Sequence, residues 1–158
     1  MKTVLVVAAH PDDEILGVGG TVARHVAEGD EVYAVILGEG QTSRSDHREN
    51  ADQGLVEELH KNTLESAAAV GFREVFFAYF PDNRFDSVDL LDIVKTIEQM
   101  IHKLKPQIIY THYSGDLNVD HQCTARAVLT ATRPIGAYCV EEIYAFETLS
   151  STESKFDY

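Results

Sequence analysis

Short apolar runs alternate along the chain with longer segments in which apolar residues recur every three or four positions. The first run, residues 3–9, is rich in β-branched side chains and predicts a buried strand. The segment that follows, residues 14–27, has the apolar spacing of a helix. The alternation continues and predicts further strands at 31–37, 74–80, 107–111 and 141–146, and further helices at 54–70, 87–104 and 121–132.

This alternation indicates a fold of the α/β class. Strand–helix–strand units joined by short connections build a parallel sheet, and right-handed crossovers then give a doubly wound, mostly parallel, Rossmann-like sheet with helices on both faces. We expect the strand order 3-2-1-4-5, in which the first and fourth strands are neighbours at the switch point. The loops after these two strands should therefore lie side by side, at the place where α/β sheets bind ligands.

Length and charge narrow the function classes. The 158 residues fit a single domain with a sizeable core. A net charge of −13, with Lys and Arg scattered along the chain, disfavours binding to nucleic acid or to an anionic membrane surface. No apolar run approaches the roughly 20 residues that span a bilayer, and no leader-like segment precedes the first strand. We therefore expect a cytoplasmic protein without membrane insertion, and the formation of homo-oligomers stays open.

The densest candidate chemistry follows the first strand, where His10, Pro11, Asp12, Asp13 and Glu14 stand in succession. Proline keeps the residue before it out of the helical conformation and suits the first turn of a helix. The histidine is therefore expected at the strand end and the acids in the first helical turn. The helix dipole favours acids there, and Glu14 is expected to have only this structural role. The dipole does not explain a histidine held beside two adjacent aspartates.

A second polar loop follows the fourth strand, and between His112 and His121 it carries Asp116, Asn118 and Asp120. Together with the first loop it can supply two imidazoles and a carboxylate, the ligand set of a hydrolytic zinc site with an open position for water. The same set also suits iron(II) or another divalent metal. An adjacent carboxylate that does not bind the metal is then a candidate base for that water.

These two motifs, Ala-His-Pro-Asp-Asp-Glu at residues 9–14 and Asp-Leu-Asn-Val-Asp-His at residues 116–121, resemble those of the LmbE/PIG-L family of zinc-dependent N-acetylglucosamine-type deacetylases. The resemblance covers nearly the whole chain and includes residues 43–44, 65–71, 81–82 and 150–153. It implies a hydrolase that removes an acetyl group from an N-acetylated amino sugar, or from its small-molecule conjugate, by attack of water activated on the metal. It also implies that residues 1–158 form one domain of this family, whose members usually continue with further strands.

The resemblance implies roles for five residues of the two motifs. His10, Asp13 and His121 correspond to the metal ligands. Asp12 corresponds to the general base, which also protonates the departing amine. Asp120 is expected to act in catalysis by orienting or tuning groups in the site.

The residues expected to contact the substrate match the family less closely than the metal ligands do. Asn118 stands where many relatives have a histidine that stabilises the oxyanion, so either Asn118 or His112 is expected to fill that role. Asp82 stands where the family commonly binds a sugar hydroxyl, although a Pro-Asp-Asn turn also accounts for an aspartate there. Arg44, in the long polar loop after the second strand, is either a substrate-binding residue or a surface charge.

Paired acids after the first strand are also typical of a protein class with a different function. In a receiver-like phosphoacceptor module, Asp12 and Asp13 would hold magnesium. Such a module needs a lone aspartate at the end of the third strand and a lysine at the end of the fifth. Here the fifth strand runs into Phe146 and Glu147, and the additional His10 has no role in that chemistry.

Overall fold

The computed structural model describes residues 1–40, 53–136, 138–149 and 151–152, and they form one five-stranded parallel sheet. The strand order is β3-β2-β1-β4-β5. Both the fold class and the order predicted from the sequence are confirmed. The elements in chain order are β1 Thr3–Ala8, α1 Asp13–Ala27, β2 Glu31–Gly38, α2 Gln53–Val70, β3 Glu74–Phe80, a 3₁₀ turn Phe85–Ser87, α3 Leu90–Leu104, β4 Ile108–His112, α4 Val119–Ala131 and β5 Glu142–Phe146.

The core lies on both faces of the central strand β1. Alternate side chains of β1 point to opposite faces, so Val4 and Val6 pack with apolar side chains of α1 and α2, whereas Leu5 and Val7 pack with those of α3 and α4. A strand covered on both faces is apolar throughout rather than alternately polar. This is why residues 4–9 form an uninterrupted apolar run with no solvent exposure.

Two helices begin more than one residue away from the predicted position. The third helix was expected from residue 87, but Phe85–Ser87 form a 3₁₀ turn, Val88 is extended and α3 begins at Leu90. The turn seats the buried Phe85 ring in the core, which interrupts the helical path. The fourth helix was expected from residue 121, but it begins at Val119 because the Asn118 side chain caps it.

The sheet places the two polar loops side by side. β1 and β4 are parallel neighbours, with Val6 opposite Tyr110, so their carboxyl ends lie at the same edge. The first loop joins β1 to α1 and the second joins β4 to α4. Among the helices described, none is both long enough and apolar enough to cross a membrane.

Gly17 allows α1 to approach β5. A Cβ atom at this position would lie 2.3 Å from the ring of Phe146, closer than any real contact. Gly20, one turn later in the same helix, has no neighbouring atom within 4 Å of such a Cβ. Packing therefore leaves no room for a side chain at Gly17, whereas it does at Gly20.

We predict that Gly17→Ala lowers the free energy of unfolding by about 1–3 kcal/mol, because the Phe146 ring must shift in a packed core. Gly20→Ala is the matched control and should stabilise the helix by roughly 0.5–1 kcal/mol. Urea unfolding of both variants measures the difference. Equal effects of the two substitutions would show that the close approach of α1 to β5 is wrong.

Candidate metal centre

The centre of the site is one carboxylate oxygen, Oδ2 of Asp13. It lies 3.5 Å from Nδ1 of His10, 3.3 Å from Nε2 of His121 and 3.4 Å from Nε2 of His112. It also accepts a hydrogen bond of 3.0 Å from the backbone N–H of His10. Two loops more than a hundred residues apart in sequence thus converge on a single buried atom.

The donor atoms of His10, Asp13 and His121 lie within 4.8 Å of one another, a grouping that can hold a metal ion. Oxygen and nitrogen ligands at 2.0–2.1 Å from a tetrahedral zinc lie about 3.3 Å apart. The spacings of 3.5 Å and 3.3 Å from Asp13 to the two imidazoles are close to that separation. The residues present therefore fit a divalent metal bound by two imidazoles and one carboxylate.

His112 lies beside this group but its Nε2 atom is already used. That nitrogen accepts a 2.9 Å hydrogen bond from the backbone N–H of Ala9, so it has no lone pair for a metal. The ring stacks on His121, with centroids 3.9 Å apart, and packs against Phe146. Burial lowers the pKa of His112, which keeps the ring neutral. This position favours a supporting role behind His121 over the predicted alternative of stabilising an oxyanion.

Electrostatic coupling between Asp13 and the imidazoles is strong. Burial alone would raise the pKa of the Asp13 carboxyl, but hydrogen bonding to the surrounding imidazoles, first that of His10, holds it far below its usual range. Burial also opposes charge on His10, yet its hydrogen bonds to Asp120 and Asp13 raise its pKa to about 10. In the metal-free protein the pair is therefore ionised, and a metal would displace a proton from His10.

The other ring nitrogen of His10 faces two buried carboxylates. Nε2 lies 2.9 Å from Oδ2 of Asp120 and 3.3 Å from Oδ1 of Asp82. The second oxygen of Asp120 accepts a hydrogen bond from the backbone N–H of Phe85. An acceptor at Nε2 keeps the proton on that nitrogen and leaves Nδ1 free for a metal, as in carboxylate–histidine–metal arrangements. Asp120 and Asp82 are thus both buried against His10, and the orienting role of Asp120 stays a prediction.

The backbone at Asp12 is strained. Its φ of 87° lies in the left-handed region, which costs a non-glycine residue about 1 kcal/mol or more. The residue occupies the N-cap position of α1, yet its side chain makes no capping hydrogen bond. Asp12 is exposed, whereas Asp13 and Glu14, the first two residues of α1, are buried. The strained turn therefore separates two adjacent aspartates into one buried and one exposed carboxylate.

Asn118 connects the cap of α4 to the turn after β3. Its Oδ1 atom accepts hydrogen bonds from the N–H groups of Asp120, at 2.9 Å, and His121, at 3.4 Å. Its Nδ2 atom donates to Oδ1 of Asn83 at 3.0 Å. Because the oxygen faces the helix, the amide NH₂ is the end available as a donor. Arg44, the remaining predicted site residue, lies outside the described residues.

Asp116 was not predicted as a site residue. It is buried, and its Oδ2 atom lies 3.2 Å from Nδ1 of His121, the nitrogen opposite Asp13. The sequence contains the acid in the second motif, but no periodic pattern distinguishes it from a loop aspartate. Only the tertiary structure pairs it with a candidate metal ligand.

Glu14 has no solvent exposure, and within the described part of the chain neither of its carboxylate oxygens has a hydrogen-bond partner. Burial raises its pKa from the ordinary 4.5 to about 7, and the charges of Asp12 and Asp13 add to the shift. An acid that only served the helix dipole would be exposed and ionised. Glu14 is instead a buried acid that is half protonated near neutral pH.

The comparisons with known proteins agree with this geometry. The family profile described as PIG-L, GlcNAc-PI de-N-acetylase, matches residues 5–132. An uncharacterised deacetylase of Escherichia coli, YaiS, is 26% identical over 155 residues, which cover 95% of this chain and 76% of that protein. A probable N-acetyl-alpha-D-glucosaminyl L-malate deacetylase 2 of Bacillus cereus is 30% identical over 133 residues, covering 82% of this chain and 60% of its own length.

Solved structures show the same fold. The conserved protein TT1542 of Thermus thermophilus has a TM-score of 0.75 and 28% identity, with 92% of this chain and 66% of that chain covered. GalB of Pseudomonas putida, a 4-carboxy-2-hydroxymuconate hydratase, has a TM-score of 0.76 and 22% identity, with coverage of 93% and 66%. The fold alone therefore does not decide between a deacetylase and a hydratase.

We predict that stability falls with rising pH because of Glu14. Its folded-state pKa of about 7 exceeds its ordinary value of 4.5, so the folded state holds the proton more tightly than the unfolded chain does. The resulting stabilisation is complete below about pH 4.5 and is lost as the pH rises to about 7. Glu14→Gln should remove this dependence. Between about pH 4.5 and pH 7, the difference in unfolding free energy between the variant and wild type should therefore change by at most roughly 3 kcal/mol.

Denaturant unfolding of the metal-free proteins at several pH values measures the effect. Exposed Glu28, at the end of the same helix, provides the control variant Glu28→Gln. Parallel stability curves for Glu14→Gln and wild type would contradict the assignment.

Proposed function

The chain belongs to the PIG-L family of GlcNAc-PI de-N-acetylases, and on that premise we propose that it is a metal-dependent N-deacetylase of N-acetylated amino sugars or their conjugates. The observation that carries the proposal is the pair Asp12 and Asp13. Asp13 has two imidazole nitrogens, of His10 and His121, at ligand spacing, and Asp12, the residue before it, is exposed. Metal-dependent hydrolysis of an amide uses a Lewis acid together with a base.

The receiver-like alternative is not supported. Receiver modules of the flavodoxin type have the strand order 2-1-3-4-5. The order here is 3-2-1-4-5, and His10 and His121 occupy the positions around the acids.

When bound by His10, Asp13 and His121, a divalent metal would supply a Lewis acid that polarises the acetamide carbonyl and acidifies a water molecule. Zinc is the metal we propose, and iron(II) also suits the donor set. The chain's own contribution is to orient these ligands. Asp120 holds the His10 ring through Nε2, so that its Nδ1 atom faces Asp13.

Asp12 is the proposed general base. Its carboxylate accepts a proton from water as the water oxygen forms a bond to the acetamide carbon. When the carbon–nitrogen bond breaks, the same carboxyl returns the proton to the departing amine, so the products are acetic acid and the free amine. The acetic acid then ionises to acetate by releasing the second proton of the water. Asp13 and Glu14 are unsuited to this role, because Asp13 is held by imidazoles and Glu14 is fully buried.

The oxyanion and the sugar need further donors and acceptors. We assign the oxyanion donor to the Asn118 amide, whose oxygen is fixed by the helix cap and whose NH₂ group is left as the donor end. Asp82 remains a prediction as an acceptor for a sugar hydroxyl, as does Arg44 as a substrate-binding residue. The family description and the name of the Bacillus cereus relative support N-acetylglucosamine-type conjugates as the substrate class.

The chain spans only part of the length of the relatives it matches. The chain spans 76% of the Escherichia coli relative and 60% of the Bacillus cereus relative. The activity and substrates of those whole proteins are therefore proposals for this chain. Its metal-ligand motifs lie within the residues that match the family.

Asp12→Asn tests the proposal directly. Asparagine accepts the left-handed backbone at this position, so the fold should be unchanged. We expect the variant to retain about one zinc per chain but to lose roughly 10²–10⁴-fold in kcat for acetate release. Acetate is measured from N-acetylglucosamine, its nucleotide conjugates and its glycosides, and metal content by elemental analysis.

Two variants serve as controls for this test. Asp92→Asn, at an exposed position of α3, should leave both metal and activity unchanged. His121→Ala should lose the metal. Full turnover in Asp12→Asn would contradict the assignment of the base, and wild-type protein without transition metal or acetate release would contradict the deacetylase.

A further inference from the structure

Asp116 is the most heavily hydrogen-bonded carboxylate of the second loop. It is 1% exposed, and its Oδ1 atom accepts from the backbone N–H of Asn118 at 2.8 Å. Its Oδ2 atom accepts from the hydroxyl of Thr152 at 2.6 Å and from the hydroxyl of Ser151 at 3.0 Å. The same oxygen lies 3.2 Å from Nδ1 of His121. Two of these partners come from the segment after β5, outside both motifs.

This arrangement selects one tautomer of His121. Asp116 already accepts hydrogen bonds from a backbone N–H and from two hydroxyl groups, so it faces Nδ1 of His121 as an acceptor. This contact favours the proton on Nδ1. Nε2, which lies 3.3 Å from Oδ2 of Asp13, is then the nitrogen left for a metal. That is the tautomer which a metal requires for coordination through Nε2.

The segment after β5 is built to present these hydroxyls. The backbone carbonyl of Thr148 accepts from the N–H groups of Ser151 and Thr152, which forms a tight turn. The hydroxyl oxygen of Thr152 accepts from the N–H of Thr148 at 2.8 Å, so its own hydrogen is left for Asp116. Thr148 and Thr152 are both buried. The Thr152 hydroxyl thus both accepts and donates a hydrogen bond, and the turn is packed beneath the site.

We propose that Thr152 and Asp116 are positioning residues of the metal centre, which hold the His121 ring with Nδ1 protonated and Nε2 free for the metal. Ser151 supports the same oxygen, and its hydroxyl also lies 3.4 Å from Nδ1 of His121. The inference rests on His121 as a metal ligand in the proposed function. It extends the site to residues 36 positions beyond Asp116 in sequence.

A purely structural role makes a different prediction. If the turn only fixes the end of β5 against α4, loss of the Thr152 hydroxyl should lower stability and leave metal affinity unchanged. If it positions His121, metal affinity should fall more than stability explains. Partners that orient a metal-binding histidine typically change metal affinity or activity by about 10–100-fold.

The test compares Thr152→Val, Thr152→Ser and wild type. Valine keeps the shape and removes the hydroxyl, whereas serine restores it. Thr130→Val is the matched control, because the Thr130 hydroxyl donates only to a backbone carbonyl of its own helix, that of Arg126, among the described residues. Zinc affinity is measured by competition with a chromophoric chelator, and thermal unfolding of the metal-free proteins is measured in parallel.

We expect Thr152→Val to weaken zinc binding about 10–100-fold, with Thr152→Ser within a few-fold of wild type. Thr130→Val should bind zinc like wild type.

Two results would overturn the inference. One is a lower melting temperature of Thr152→Val with unchanged zinc affinity, and the other is a loss of zinc affinity in Thr152→Ser or Thr130→Val as large as that in Thr152→Val. Failure of the proposed function is distinguishable, because a protein without deacetylase activity would still bind zinc more weakly in Thr152→Val than in Thr152→Ser.

Discussion

The site depends on the burial of the Asp13 carboxylate between imidazoles from two loops. A buried charge without partners is costly, and here ring nitrogens of His10, His112 and His121 lie within 3.5 Å of one oxygen. These partners are available only if the carboxyl ends of β1 and β4 are adjacent. The site can therefore form only in a sheet with this strand order.

His10 and His121 each have their two nitrogens divided between Asp13 and a second carboxylate. His10 faces Asp120 on its other side, and His121 faces Asp116. The Nε2 atom of His112 instead accepts from the backbone of Ala9. Two of the rings are thereby prepared to bind a metal, and the third is committed to packing. A site built in this way keeps its ligands oriented before any metal arrives.

The fold and the meeting of the two polar loops were predictable from the sequence for physical reasons, whereas the choice of His10, Asp13 and His121 as metal ligands came from the resemblance to a family and stays a prediction. The apolar run of β1 signals a strand covered on both faces, and strands alternating with helices determine a parallel sheet. In such a sheet the first and fourth loops meet, which brings His10, Asp13 and His121 together. Hydrogen bonds from hydroxyl groups carry no such pattern, so the contact of Thr152 with Asp116 was not predictable. The cap by Asn118 and the backbone acceptor role of His112 were missed because they too are single side-chain hydrogen bonds, which produce no periodic pattern in the sequence.

The X-ray absorption spectrum of the protein loaded with one equivalent of zinc tests the central claim most directly. The account predicts only nitrogen and oxygen neighbours at about 2.0–2.1 Å, with the scattering signature of two imidazoles. A third imidazole would show that His112 leaves Ala9 and binds the metal. Sulfur at about 2.3 Å, or no imidazole at all, would contradict the assignment of His10, Asp13 and His121 as the metal centre.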